Sequence, residues 1–253
     1  MKFAALVSGG KDSVYAIKKL IEEGNDLVAL IHMYKEGNDF TDSFMYQTVG
    51  SEIASLFGEV MGVPLFKYKT SCKAINKELT YNVTNSDEVE DLFNAVSKTL
   101  DIVKFEGISS GAIASTYQKL RVESICERLN IKSLAPLWGV NQKELIEGMI
   151  SSGLDARIVK IASPIFNKSN IGNNLIEIYE HVKNNSQLSY DKNFNFCGEG
   201  GEFESVVFDC KDLFIKRIDY EDLVIENHPE DDNKLESNRV YYGVFKNPFV
   251  INK

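Results

Sequence analysis

The apolar run Phe3-Ala4-Ala5-Leu6-Val7, followed without a spacer by Ser8-Gly9-Gly10-Lys11-Asp12-Ser13, constrains this chain more than any other stretch. Five consecutive apolar residues read as a β-strand buried on both faces. Beyond the hexapeptide, Val14, Ile17, Leu20 and Ile21 recur at helical spacing, and Gly24-Asn25 supplies a stop. The hexapeptide is therefore the turn from a buried strand into a helix. Amides in the first turn of a helix lack an intrahelical acceptor and point outward, which makes this place an anion site. Gly9 and Gly10 permit turn conformations and close approach to the backbone. Ser8 and Ser13 add hydroxyls, Lys11 adds a cation, and Asp12 is placed to hold Mg²⁺ directly or through water. The spacing is neither GxxxxGK[ST] nor GxGxxG. A plain Gly-Gly turn with a Ser or Asp cap is the bland alternative; six consecutive phosphate-directed residues in this context argue against it.

The alternation continues down the chain. Leu27 to Met33 reads as a second buried strand, Phe44 to Val60 as a helix, and Val63 to Tyr68 as a third strand. A helix over Asp87 to Asp101, a strand end at Gly107 to Gly111 and a helix over Ser115 to Leu129 follow. Strands alternating with helices predict a doubly wound α/β domain around a parallel sheet. From about Lys132 the texture changes. Leu134 to Gly139 resembles a linker, Glu144 to Ser152 and Asn174 to Val182 read as short helices, and Ala156–Ala162, Phe203–Phe208, Phe214–Ile218 and Val240–Phe245 as strands. The expected organisation is a nucleotide-binding domain over 1–135 and a smaller α+β substrate domain over 136–253.

Composition excludes several classes. With 43% hydrophobic and 26% charged residues in 253, the chain can bury a core and is neither disordered nor collagen-like. No stretch approaches the roughly 20 apolar residues of a membrane span. A net charge of −9 opposes a phosphate backbone, so direct nucleic-acid binding is not expected. Four widely spaced cysteines without a CxxC pair argue against a disulfide scaffold or structural zinc, and fit a reducing cytoplasm. The histidines show no metal spacing. The seven acids between Asp219 and Asp232 read as a solvated loop.

Three further stretches carry chemistry-bearing residues. Asp42-Ser43-Phe44-Met45-Tyr46-Gln47 follows the second strand, at the sheet end where ligands bind in open α/β folds. Tyr117, Gln118 and Arg121 fall near the start of a helix, with Gln118 and Arg121 on one face. Arg121 taken alone is equally a helix ion pair with Glu123 or Glu127. Cys197-Gly198-Glu199-Gly200-Gly201-Glu202-Phe203-Glu204-Ser205 is a glycine-rich acidic turn entering a strand, which by itself could be a hairpin with solvated acids. Cys197 reads as packing and not as a nucleophile.

SGGKDS resembles the PP-loop of the N-type ATP pyrophosphatases, a HUP-like fold. The order of that loop, YQKLRVE, Pro136-Leu137-Trp138 and GEGGEFES over most of the chain resembles the diphthine–ammonia ligase family. Ser205 stands where Thr is expected, and Gln47 where His is frequent. The resemblance implies conversion of diphthine on elongation factor 2 to diphthamide with ATP, Mg²⁺ and ammonium, through an acyl-adenylate, releasing AMP and pyrophosphate. It implies that Ser8, Gly9, Gly10, Lys11, Asp12, Ser13, Ser43, Tyr117 and Gln118 hold the nucleotide, with Asp12 at the metal. Lys11, Asp12, Arg121 and Glu202 are the implied catalytic set. Diphthine carries a trimethylammonium group, and Glu199, Gly200, Gly201, Glu202, Phe203 and Glu204 are the expected contacts for it. Which glutamate meets that cation and which meets ammonium stays open. So do the ammonia source and the oligomeric state, a homodimer included. The alternatives are another PP-loop pyrophosphatase, acting on tRNA or a small metabolite, and a non-catalytic adenine-nucleotide sensor.

Overall fold

The structure is a computed structural model that describes residues 1–36, 43, 45–47, 49–185, 195–228, 231, 234–235 and 238–253. Asp42, Phe44, Glu230 and Asp232 lie outside the described residues.

Strand β1 (Lys2–Leu6) leads into α1 (Lys11–Glu22), then β2 (Asp26–Tyr34), α2 (Ser51–Ala54), α3 (Phe57–Met61), β3 (Leu65–Lys69), α4 (Glu88–Ile102), β4 (Gly107–Ser109), α5 (Thr116–Leu129) and β5 (Lys132–Leu134). Among the described residues these strands form one parallel sheet in the order β3-β2-β1-β4-β5. The two faces of β1 explain its unbroken apolar sequence. Phe3, Ala5 and Val7 pack with Val14, Ile17 and Phe57 on one side, while Ala4 packs with Leu92, Val96 and Ile125 on the other. Helices thus cover both faces, the doubly wound α/β arrangement expected. Strand order reverses at β1, which lies between β2 and β4, so the carboxyl ends of β1 and β4 open a crevice.

The second half adds α6 (Gln142–Ser151), β6 (Leu154–Ile161), α7 (Leu175–Asn184), β7 (Phe203–Cys210), β8 (Lys216–Asp219), β9 (Asp222–Asn227), β10 (Tyr241–Lys246) and β11 (Phe249–Asn252). Its strands form an antiparallel sheet, β7-β6-β10-β9, and a separate β8–β11 pair. This half is not a free-standing lobe. Val206, Val207, Phe208, Phe214, Ile218 and Phe245 belong to the same buried cluster as Phe3, Val14, Ile17 and Phe57.

Two differences from the sequence reading have physical causes. The single helix expected over Phe44 to Val60 is two short ones, with Gly50 at φ +82° before the first. A Cβ on Gly50 would stand 2.1 Å from Val206 Cγ1, so β7 presses on the backbone where an ordinary helix would run. The acidic stretch is not simply solvated: Asp219, Asp222 and Glu226 are strand residues, and Asp231 is buried, accepting Val240 N–H and pairing with Lys234.

Candidate active site

The hexapeptide after β1 forms the predicted strand–loop–helix turn. Gly9 takes φ +98°, left-handed backbone that a side chain would strain. Gly10 occupies the N-cap of α1 in extended backbone and, being glycine, offers no capping side chain. The cap comes from the other half of the chain: Lys11 N–H donates to Ser205 Oγ at 3.3 Å. Val207 N–H donates to Gly9 O at 2.9 Å, and Gln47 Nε2 donates to Ser205 O at 3.1 Å. Ser13 Oγ donates to Gly10 O, and Ser8 Oγ accepts Gly10 N–H. Strand β7 and the hexapeptide therefore brace each other through one main-chain bond and the Ser205 hydroxyl.

Beside this turn lies a cleft of about 210 Å³, at the crevice between β1 and β4. Leu6, Ile31, Met33, Met45, Leu92 and Val122 supply its apolar walls. Ser8, Asp12, Ser13, Gln47, Ser110, Gln118 and Glu199 supply polar groups. Two buried atoms here, Asp12 Oδ1 and Ser110 Oγ, have no partner among the described residues. Buried polar atoms are nearly always bonded, so a cleft with two orphans is shaped for a polar ligand. Asp12 Oδ1 also fits Mg²⁺, which commonly takes one or two carboxylates and completes its shell with phosphates and water. No cluster of three His, Cys, Asp or Glu exists among the described residues.

Asp12 and Glu199 bring charge to the lining, and Lys11 stands bonded to Asp12 just outside it. Lys11 is buried, its Nζ donating to Asp12 Oδ2 at 2.9 Å and to Cys197 O at 2.5 Å. Burial works most strongly against the ammonium, but Asp12, Cys197 and Glu199 together outweigh it and hold the Lys11 pKa above its ordinary value. Glu199 Oε2 accepts Ala114 N–H at 3.1 Å. Burial first, and the Asp12 charge second, push its carboxyl above the usual range. Burial lifts the Cys197 thiol to about 12, and its Sγ donates to Gln142 O, so it is a packed thiol and no nucleophile at neutral pH.

Several expected contacts sit elsewhere. Arg121 is wholly buried and outside the cleft lining. Its Nη2 donates to Asn76 O and Glu78 O, its Nη1 to Tyr117 O, and its plane lies 3.2 Å from the centre of the Tyr117 ring. It ties the β3–α4 loop to α5, and carbonyl oxygens of the chain, not the cleft, face its Nη groups here. Tyr117 serves the same stack, while Gln118 faces the cleft. Ser43 donates to Glu88 Oε2 at 2.7 Å and accepts Met45 and Tyr46 N–H, shaping the segment from which Tyr46 and Gln47 reach the cleft. In the acidic turn, Glu202 accepts Asn195 Nδ2 and Gly200 N–H, and Glu204 pairs with Lys160 at 3.0 Å. Phe203 is buried, with Lys11 Nζ 5.2 Å from its ring centre, so no outside cation reaches that face. Glu199 alone of the turn lines the cleft. Sequence reasoning placed Met45 and Tyr46 at the ligand end of the sheet without giving either a role, and it passed over Ser110 and the remaining apolar walls, which read simply as core.

Comparison with known proteins identifies the family of both halves. The diphthamide synthase N-terminal domain matches residues 1–133 and the diphthamide synthase C-terminal domain residues 141–239. The diphthine–ammonia ligase of Rattus norvegicus is 39% identical over 223 residues, 86% of this chain and 82% of its own length, and that of Homo sapiens is the same by each measure. The diphthine–ammonia ligase of Schizosaccharomyces pombe is 40% identical over 232 residues; this chain spans 90% of itself there but only 37% of that longer protein. A hexapeptide at the β1–β4 crevice, an acidic turn brought onto it by β7, and both halves matched in order lead to one conclusion: the chain belongs to the diphthamide synthase family, that of the diphthine–ammonia ligases.

Proposed function

We propose that the chain is an ATP-dependent ligase that amidates diphthine on elongation factor 2 with ammonium, giving diphthamide, AMP and pyrophosphate. The observation that carries this reading is that the N-terminus of α1 and Glu199 of the GEGGEFES turn line one cleft. A carboxylate is a poor acyl donor, so its oxygen must first attack the α-phosphorus of ATP and expel pyrophosphate. The adenine suits the apolar walls around Ile31, Met33, Leu92 and Val122. The departing charge meets the first-turn amides of α1, the Ser8 and Ser13 hydroxyls, and Lys11 once its ammonium leaves Cys197 O. Mg²⁺ bound at Asp12 would supply further neutralisation of the phosphates. Ammonia then attacks the acyl carbon and AMP departs. Glu199, whose charge faces Asp12, is the group we assign to the incoming cationic substrates, while Glu202 shapes the turn through Gly200 and Asn195. Division of labour at residue 135, the translation-factor partner and a cytoplasmic setting belong to the same proposal. No helix among the described residues is long and apolar enough to cross a membrane.

The test is pyrophosphate release by the full chain with ATP and Mg²⁺, with and without ammonium and diphthine-bearing elongation factor 2. Stimulation requiring the factor is expected, with AMP and diphthamide formed in equal amounts. Turnover indifferent to the factor would point to another PP-loop chemistry, and ATP bound but never cleaved to a sensor.

A further inference from the structure

The trimethylammonium of diphthine needs an aromatic face and negative charge nearby, and the turn expected to supply the ring does not. Phe203 is buried under Lys11, so the ring must come from elsewhere. Resting on the proposed function, we infer that the face of Trp138 is the quaternary-ammonium subsite, and that Lys119 occupies it in the free protein.

Trp138 is the single tryptophan of the chain. Its ring is partly exposed and takes no part in the buried apolar clusters, although Leu137 beside it does. Its place is fixed relative to the cleft by a main-chain bond and a carboxylate bond. Gly139 N–H donates to Ile113 O, and the next residue, Ala114, donates its N–H to Glu199. The loop that joins Trp138 to Glu199 thus also contains Ala112, which lines the cleft. The ring is electron-rich and open enough to have gathered a cation already: Lys119 Nζ stands 5.1 Å from its centre. Glu123, four residues on along α5, pairs with the same ammonium. An indole face with one carboxylate beside it and a second across a short loop is the chemistry that recognises a methylated ammonium. Lys119 is a replaceable occupant, since its long stem can carry the charge into water along α5, whereas a quaternary nitrogen is weakly hydrated and gains more from the ring. Recognition then selects for the methylated substrate by displacement.

A structural role for Trp138 and a competitor's role for Lys119 make opposite demands on one variant. Lys119→Met empties the ring face, and should lower KM for diphthine-bearing elongation factor 2 by about two- to fivefold, the range of an exposed cation–π contact. Trp138→Leu should raise that KM by at least as much and leave KM for ATP unchanged. Because the chain has one tryptophan, its fluorescence reads the subsite without turnover. Titration with tetramethylammonium chloride should quench Lys119→Met at lower concentration than the parent, and ammonium chloride at equal ionic strength should not. Failure of the ligase reading would leave this titration intact. Tetramethylammonium acting no better than ammonium on Lys119→Met, or a raised KM for the factor in that variant, would overturn the subsite.

Discussion

Lys11 is held between two oxygens that are not phosphate. Its ammonium bonds Asp12 and the carbonyl of Cys197, and stands over Phe203. Under the proposed function, a triphosphate at the α1 N-terminus has to draw this cation from one set of partners to another. On that same proposed function, replacement of Lys11 by Ala removes one charge from the departing pyrophosphate. The expected loss in kcat/KM for pyrophosphate release is roughly 10²–10³-fold, about 2.7–4 kcal/mol. Steady-state kinetics with saturating factor measures it; a loss below tenfold would mean that Lys11 serves only to join the turn to α1. The turn at the hexapeptide was legible in sequence because Gly9-Gly10 stands between a five-residue apolar run and a helical period, and the structure has that strand–loop–helix turn there. Arg121 was not, since a buried guanidinium bonded to carbonyls and one bonded to phosphate are written with the same letter. Only the contacts of Asn76, Glu78 and Tyr117 distinguish them.

The strands and helices of the first half were legible for a related reason: β1 and β2 are apolar on both faces, and α4 and α5 begin at Asp87 and Ser115, whose side chains accept Val89 and Gln118 N–H. Strands β5, β9 and β11 escaped because each is short or carries charge on an exposed face, and no alternation survives over so few residues. One side chain, His32, joins three elements near the cleft. Its Nδ1 faces Val7 O at 2.8 Å and its Nε2 faces Ser51 Oγ at 2.7 Å. A carbonyl can only accept, so the proton sits on Nδ1 and Nε2 accepts the serine hydroxyl. Burial lowers the His32 pKa from its ordinary 6.5. A depressed folded pKa means that the stability contributed is present above about pH 6.5 and is lost as pH falls through the folded value. Melting temperature of the parent should drop below that pH by roughly 2–4 °C for each kcal/mol involved. His32→Asn, which retains a donor for Val7 O and cannot titrate, should lose that step though less stable overall. An unchanged pH profile in the variant would assign the acid sensitivity to other groups.

Two halves with different sheets invite the expectation of two folding units, yet the contacts argue for one. Val206 is fully buried at the place where Gly50 turns, Val207 and Ser205 bond Gly9 and Lys11, and the main apolar cluster draws on both sheets. Residues 1–135 alone would leave the outer faces of α1, α2 and α3 without their cover, and the α1 N-terminus without its cap. Unfolding of the full chain should therefore be a single calorimetric transition, with van't Hoff and calorimetric enthalpies equal. Val206→Ala removes two buried methyl-sized groups, a loss of about 2 kcal/mol before any cavity cost. That substitution should move the whole transition down by roughly 4–8 °C. It should also weaken ATP binding, because the strand it loosens carries both Ser205 and the entry to the acidic turn. Isothermal titration of ATP on the variant reads the second effect. Two resolved transitions, only one of them displaced, would show that the halves fold apart and that the cleft is assembled by docking; one displaced transition with weakened ATP binding would show that core and cleft are built by the same contacts.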